Sequence, residues 1–267
     1  IIHEIAETGK IEYVQNYHEQ ASSFAACAYV KIKKDVALVL ATSGPGAINI
    51  IAGIADAFCD SVPILFITGQ DSSVNFFKEN GARLNGFQDL DIAAVVRPIT
   101  KYSKTVKSAA ELVYELEKCY EICKSGRPGP VLLDIPVDIQ LQKIAPELLK
   151  KKSKKKDKKI AEKNITKEDL NNAIKLIKNA KKPVVLCGGG VRMSNSENEL
   201  AQFIATTKIP VVATSNAIDI HENLLGFSGL YGNSEANLAI LNADLLLIFG
   251  SRLGQQQVGK NLDDYTK

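Results

Sequence analysis

At 267 residues the chain is longer than one typical α/β domain and has room for two, each with its own core. Apolar residues at 45% and charged residues at 24% are ordinary for a globular protein, and no apolar run has the length of a membrane span. The formal net charge of +3 is a local effect, because residues 150–159 hold eight lysines and one acid while the rest of the chain carries 25 bases and 29 acids.

A run this charged repels itself and cannot bury apolar surface, so it reads as a solvated linker. No aromatic residue interleaves it and nothing else is basic, so a nucleic-acid partner is not expected. The linker, taken as residues 141–164, divides a first domain (1–140) from a second (165–267). The chain opens on Ile1 without a signal pattern, and both ends read as interior to a domain. Cys27, Cys59, Cys119, Cys123 and Cys187 are scattered, and no second pair or nearby His completes a metal set around Cys119 and Cys123. They read as free, buried thiols of a reducing cytoplasm, and no metal ligand is expected in this chain.

In chain order, the first chemistry-bearing stretch is His18-Glu19-Gln20, read as lying just past a strand and heading a helix of small residues. Two readings of Glu19 stand. A carboxyl held in a tight, largely dry niche has a raised pKa and can share a proton with a ring nitrogen. An acid in a helix's first turn also complements the helix dipole without further purpose. An apolar run at residues 36–41 then ends in Thr42-Ser43-Gly44-Pro45-Gly46, where two glycines around a proline bring bare backbone close to whatever lies above. Pro45, with preset φ and no N–H, suits the start of the next helix, whose apolar face is read as Ile50, Ile51, Ile54, Ala55 and Phe58. No Gly-Lys-Ser/Thr ending follows, which argues against a phosphate loop.

Apolar runs follow at 62–68 and 130–136, separated by a polar, Gly-containing stretch from Asp71 to Asn85 that reads as a mobile loop and leads into Gly86-Phe87-Gln88-Asp89. Tyr114 and Tyr120 sit on a helix with Leu112 and Leu116, at core or rim. Past the linker, a helix over 167–179 leads to an apolar run at 183–187 closed by Gly188-Gly189-Gly190. A helix over 197–207, a run at 209–214 and a run at 243–250 closed by Gly250-Ser251-Arg252 follow. Runs apolar on both faces and separated by helices indicate parallel sheets covered on each side. The fold class is therefore α/β, as two doubly wound, mostly parallel-sheet domains, with ligands expected at the carboxyl ends of the strands.

The ordered series carries more than its parts. His18-Glu19 comes first, then Thr42-Ser-Gly-Pro-Gly-Ala-x-Asn49, Gly53-x-Ala-Asp-Ala-Phe-x-Asp60 and Pro63-x-x-x-x-Thr-Gly-Gln70. Phe87-Gln88-Asp89, Pro98-Ile-Thr-Lys-Tyr102 and Gly126-Arg-Pro-Gly-Pro-Val-Leu-Leu-Asp-Ile-Pro136 complete it. This series closely resembles the pyrimidine-binding domain of the acetolactate synthase-like, thiamine-diphosphate-dependent enzymes. The resemblance continues into that family's Rossmann-like central domain at Gly188-Gly-Gly-Val and Gly250-Ser-Arg-Leu. It implies decarboxylation of a 2-oxo acid, pyruvate first among them, and joining of the product to a second carbonyl. By the same resemblance Glu19 bonds the cofactor's aminopyrimidine ring, Pro45, Gly46 and Asn49 wall that ring, and Gln88 polarises a carbonyl of substrate or acceptor. Gly188, Gly189 and Arg252 fall where flavin-containing members hold FAD. The family's Gly-Asp-Gly…Asn motif, which binds Mg²⁺ and the diphosphate, does not occur in these residues, so those ligands are expected outside this chain, in a homodimer or homotetramer.

Departures are local. The 71–84 loop is longer than in typical acetolactate synthases, Asp89 stands for a glutamate, and Gly226-Phe-Ser-Gly-Leu-Tyr-Gly232 differs from the flavin-contact stretch. Alternatives are a simple 2-oxo acid decarboxylase, a carboligase for a sugar-like acceptor, and a non-catalytic relative that uses these domains for binding or assembly.

Overall fold

A computed structural model describes residues 1–79, 81–144, 165–260 and 265. The lysine run and the rest of the expected linker after residue 144 lie outside the described residues. The chain divides into two compact units, residues 1–162 and 163–267.

The first unit runs α1 (Ile2–Thr8), α2 (Glu19–Lys33), β1 (Ala37–Ala41), α3 (Pro45–Asn49), α4 (Ile51–Asp60), β2 (Ile64–Gln70), α5 (Ser73–Phe76) and α6 (Ile92–Val95). It continues with β3 (Tyr102–Thr105), α7 (Ala109–Lys124), β4 (Val131–Pro136) and α8 (Val137–Gln140). Its four strands are all parallel, in the order β1-β2-β4-β3. The inner strands β2 and β4 are buried almost throughout, which is why both read as unbroken apolar runs. On one face Leu65, Ile67, Val131 and Leu133 pack against Leu112, Cys119 and Cys123 of α7.

The strand β3 was not expected, and its composition says why. It lies at the sheet edge and carries Tyr-Ser-Lys-Thr, since an edge strand need not be apolar. Its polar side chains are used. Buried Glu115 of α7 accepts hydrogen bonds from Tyr102 Oη at 2.8 Å and Lys104 Nζ at 2.9 Å, with Lys118 Nζ at 3.5 Å. Lys118 also stands 4.2 Å from the Tyr102 ring centre, and Tyr114 and Tyr120 of α7 lie at the rim.

No strand precedes α2 among the described residues; residues 9–18 are irregular, contrary to the sequence reading. Helix α2 lies along α3 and α4 through one stripe of residues spaced four apart. Glu19 meets Asn49, Ser23 meets Gly53, Cys27 Sγ reaches Gly53 O at 3.7 Å, and Lys31 Nζ bonds Asp60 at 2.7 Å. The expected apolar face shifts accordingly. Ile50, Gly53, Ile54 and Ala57 are buried, whereas Phe58 is 41% exposed, because the smallest residues face α2. A Cβ on Gly53 would fall inside the Ser23 side chain, so the helices close to a distance only glycine allows.

Behind the sheet lies a buried polar group. Asp134 on β4 accepts from Thr68 Oγ1 at 2.7 Å, Gln70 Nε2 at 2.8 Å and Thr105 Oγ1 at 3.2 Å. Burial pushes its carboxyl up from 3.8 to about 6, against the lowering effect of those three donors.

The second unit contains α9 (Lys167–Asn179), β5 (Pro183–Cys187), α10 (Gly190–Met193), α11 (Glu197–Thr207) and β6 (Val211–Ala213), followed by β7 (Leu224–Phe227), α12 (Ser234–Leu241), β8 (Leu245–Phe249) and α13 (Gln255–Val258). Its strands are again all parallel, in the order β7-β6-β5-β8. Successive residues of β5 serve opposite faces. Val184 and Leu186 join Ala236 and Ile240 of α12, while Val185 and Cys187 join Val191 and Leu200. That is the doubly wound α/β arrangement. Helix α9 starts on a capping box in which Thr166 and Asp169 satisfy each other's backbone N–H. Cys27, Cys119, Cys123 and Cys187 are buried free thiols, whereas Cys59, also read as buried, is exposed because its position on α4 turns away from α2. No helix among the described residues is long and apolar enough to cross a membrane.

Two outcomes follow. Gly53→Ala is expected to destabilise the chain by about 1–3 kcal/mol in denaturant titration, and changing Ser23 to Gly in the same chain should recover part of the loss. The Asp134 pKa rises on folding, so its contribution to stability is complete below about 4 and is lost as the pH climbs through about 6. Asp134→Asn lacks this titration. Its stability relative to the unsubstituted chain should therefore improve by up to about 3 kcal/mol between pH 4 and pH 7.

Candidate functional site

Helices that precede strands in a parallel sheet begin at the strands' carboxyl end, and α2 delivers Glu19 there. His18 starts the helix in an extended conformation and accepts the Gln20 N–H at Nδ1, 3.2 Å away. Glu19 is half-buried. Its Oε2 accepts a 3.1 Å hydrogen bond from Asn49 Nδ2, and that bond, with the backbone N–H at the helix start, holds its pKa below the ordinary glutamate value. The dry niche with a raised pKa is therefore corrected: in this chain the donors outweigh the desolvation, and Glu19 is a poised carboxylate.

The turn after β1 is built around that carboxylate. Gly44 adopts φ 59°, ψ −118°, a conformation closed to other residues, and Pro45 occupies the first helical position of α3, where a missing N–H does no harm. Gly46 follows with its bare Cα against Glu19; a Cβ there would lie 3.2 Å from Glu19 Oε1 and 2.7 Å from Thr42 Cγ2. Asn49 ends the same short helix, so one turn and one helix supply Pro45, Gly46 and Asn49 together. Pro45 is exposed at the mouth.

Gln88 arrives from the other side. A Cβ on Gly44 would be 2.5 Å from Gln88 Cβ and 3.2 Å from Gln88 O, so the Gln88 segment rests directly on the Gly44 turn. Gln88 itself has φ 61°, uncommon for a residue with a side chain. The structure thus gathers Glu19, Pro45, Gly46, Asn49 and Gln88 at the carboxyl ends of β1 and β2, while Phe87 points outward at 82% exposure.

The stretch that sequence reading took for a mobile loop is tied down at its ends. Asp138 accepts from Ser73 N at 2.8 Å and Ser73 Oγ at 2.6 Å, a pair that lowers the Asp138 pKa. Asp89 Oδ2 accepts from the backbone N–H of Asn85 and Gly86 at 2.7 and 2.8 Å, closing the turn just before Gln88. An aspartate suits that local turn, since its short side chain reaches back to the backbone N–H groups just before it. Beside it lies a cavity of about 730 Å³ lined by Phe76, Phe77, Lys78, Arg83, Asn85 and Asp91 among others. The Oδ1 atoms of Asn85 and Asp89 are buried without a donor among the described residues, so this wall is suited to a hydrogen-bond donor.

The glycines of the second unit serve its backbone. A Cβ on Gly188 would lie 2.7 Å from Gly250 C, and one on Gly190 would lie 2.8 Å from Gly250 Cα. Their N–H groups donate to Phe249 O at 2.7 Å and Gly250 O at 2.9 Å. The turns after β5 and β8 are pressed together, and these two N–H groups are taken up by backbone carbonyls. A Cβ on Gly189 would lie 3.3 Å from Asn216 Cβ, and Arg252 is exposed. Among the described residues no group of three His, Cys, Asp or Glu side chains is placed to hold a metal ion.

Comparison with known proteins identifies two domain families in the chain. The family model described as thiamine pyrophosphate enzyme, N-terminal TPP binding domain, matches residues 1–95, which include Glu19, Pro45, Gly46, Asn49 and Gln88. The thiamine pyrophosphate enzyme central domain matches residues 170–267. The acetolactate synthase large subunit of Lactococcus lactis is 33% identical over 93% of this chain and 42% of its own length. The isozyme 2 large subunit of Escherichia coli is 34% identical over 94% and 44%, and the chloroplastic acetolactate synthase of Arabidopsis thaliana 35% over 96% and 38%. The chain thus spans about two-fifths of the length of the curated relatives it matches. With both domain types matched in order over most of its residues, the chain belongs to the thiamine pyrophosphate enzymes.

Proposed function

We propose that this chain forms the pyrimidine-binding and central domains of an acetolactate synthase-like enzyme that decarboxylates a 2-oxo acid, pyruvate first, and joins the product to a second carbonyl. One observation carries the reading. A carboxylate, a bare glycine and an amide meet in a single bracket (Glu19, Gly46 and Asn49), and a second amide, Gln88, is laid against the turn that forms it.

The bracket fits an aminopyrimidine ring. Gly46 leaves a flat, side-chain-free approach beside Glu19 Oε1, and Pro45 offers an apolar surface at the mouth. Thiamine diphosphate, when bound, supplies the carbon nucleophile and the electron sink for decarboxylation. The work of this chain is then positional and protonic. Asn49 holds the Glu19 carboxyl in one orientation, Glu19 shares its proton with a ring nitrogen across a hydrogen bond, and the Gln88 amide donates to a carbonyl oxygen that gains charge. Mg²⁺ and the diphosphate fall to residues beyond these 267, and a second copy of the chain is the proposed partner that completes the site, as a homodimer or homotetramer. The buried free thiols favour a cytoplasmic setting. Gly188 already donates to Phe249 O, so a flavin in this unit would rely on Gly189 and Arg252, and no step is assigned to it.

In the full-length protein with thiamine diphosphate and Mg²⁺, Glu19→Gln is expected to lower pyruvate turnover by about 10²–10⁴-fold while thermal stability holds. Turnover unchanged by Glu19→Gln would leave the domains as a binding scaffold, and a full-length protein that consumes no 2-oxo acid would sink the proposed reaction.

A further inference from the structure

We infer that Gln70 is the positioning residue of the Gln88 segment: its buried carboxamide grips both ends of the 71–90 excursion and so fixes where Gln88 meets the Gly44 turn. Gln70 ends β2 and is 4% exposed. Its Oε1 accepts the N–H of Asp71, where the excursion leaves the sheet, at 2.9 Å. Its Nε2 donates to the carbonyl of Leu90, where the excursion returns, also at 2.9 Å. The second proton of the same nitrogen goes to Asp134 Oδ2 at 2.8 Å, which fixes the amide's orientation, and Thr68 and Thr105 hold Asp134 in turn. Every hydrogen-bonding position of the Gln70 side chain except one lone pair is thereby used, in a place shielded from water.

Other anchors act on one end alone. Asp138 holds Ser73, Asp91 caps α6 through Ala94 N–H at 2.9 Å, and Asp89 shapes the turn at Asn85 and Gly86. Asn85 Nδ2 donates to Lys78 O at 2.8 Å within the excursion, but Lys78 and Arg83 are exposed and that bond does not join the excursion to the sheet. Yet Gln88, two residues before Leu90, holds a φ of 61° against Gly44. A left-handed conformation is unfavourable for a residue with a side chain and persists only where its surroundings impose it. Asp89 ties Gln88 only to its own turn, whereas the Leu90 carbonyl held by Gln70 ties it to the sheet.

This inference rests on the reading that Gln88 works at the reaction site, and the experiment separates the two. In the full-length holoenzyme, Gln70→Met keeps the bulk and removes the hydrogen bonds. It is expected to lower kcat about 10-fold or more with little change in thiamine diphosphate affinity, because Gln70 does not touch the Glu19 bracket. Gln88→Ala should lower kcat by about 10²-fold, and the double variant should be no slower than Gln88→Ala alone, since one residue acts through the other. Trypsin cleavage after Lys78 or Arg83, mapped by mass, should quicken in Gln70→Met and not in Gln88→Ala. If Gln88→Ala is slow while Gln70→Met matches the unsubstituted enzyme in kcat and in cleavage, the positioning role is overturned and the reading of Gln88 stands. Full additivity in the double variant would equally overturn it. If Gln88→Ala leaves turnover unchanged, the reading of Gln88 falls, and cleavage alone decides whether Gln70 holds the excursion. Should Gln70→Met not fold, Gln70→Asn keeps an amide that falls one methylene short of Leu90 and carries the same expectations.

Discussion

The close approach of α2 to α3 and α4 is the constraint from which the rest of the site follows. Two glycines seven residues apart, Gly46 and Gly53, present backbone rather than side chains to α2, and into that space fit Glu19 and Ser23. The far end of the contact is closed by the Lys31–Asp60 pair at 2.7 Å and the near end by the Glu19–Asn49 hydrogen bond at 3.1 Å. A part-exposed ion pair contributes little to stability on its own, so packing sets the spacing and the pair sets the register. Glu19 is therefore placed by helix–helix geometry. Its carboxylate position is as rigid as the core beneath it.

How much of this could be read in advance depended on whether burial and function asked for the same residues. Strands β2, β4 and β5 are apolar runs because both sheet faces are covered, and each announced itself, as did the edge strands β1 and β8, which are apolar though only partly buried. The edge strand β3 and the four-residue β7 escaped notice, the first because its Lys104 and Tyr102 answer Glu115, the second because it is short and ends beside Gly226 and Gly229, both at positive φ. Periodicity put Phe58 on the buried face because it favours large residues, whereas the α2 contact selects small ones. The site residues were visible as an ordered series, but not the bonds among them. Nothing in the spacing of Gln70, Leu90 and Asp134 says that one amide touches all three places.

The strand-end glycines teach a related lesson. Gly44 and Gly188 both follow apolar runs and look alike in sequence, yet Gly44 makes way for Gln88 and Gly188 makes way for Gly250. In the first case the partner is a side chain with hydrogen-bonding groups and an unusual backbone conformation; in the second it is another turn, with N–H groups already donated to carbonyls. Glycine marks a close approach in both. What approaches decides whether chemistry follows.

The electrostatics of Glu19 give that distinction a chemical consequence. Its donors, Asn49 Nδ2 and the helix-start N–H, favour the ionised form, and desolvation is the one opposing influence. A carboxylate balanced this way responds to what lies over it. An aminopyrimidine ring held at Gly46, as proposed, would exclude water from the carboxylate and so add to the desolvation, with Asn49 still holding the carboxylate. Desolvation favours the protonated carboxyl, the form that would share a proton with a ring nitrogen. Asn49 keeps the carboxylate oriented through that change. An alanine at position 49 would release the carboxylate to water, a valine at position 46 would hold the ring away, and in either case the proton would be left on the wrong side of the gap.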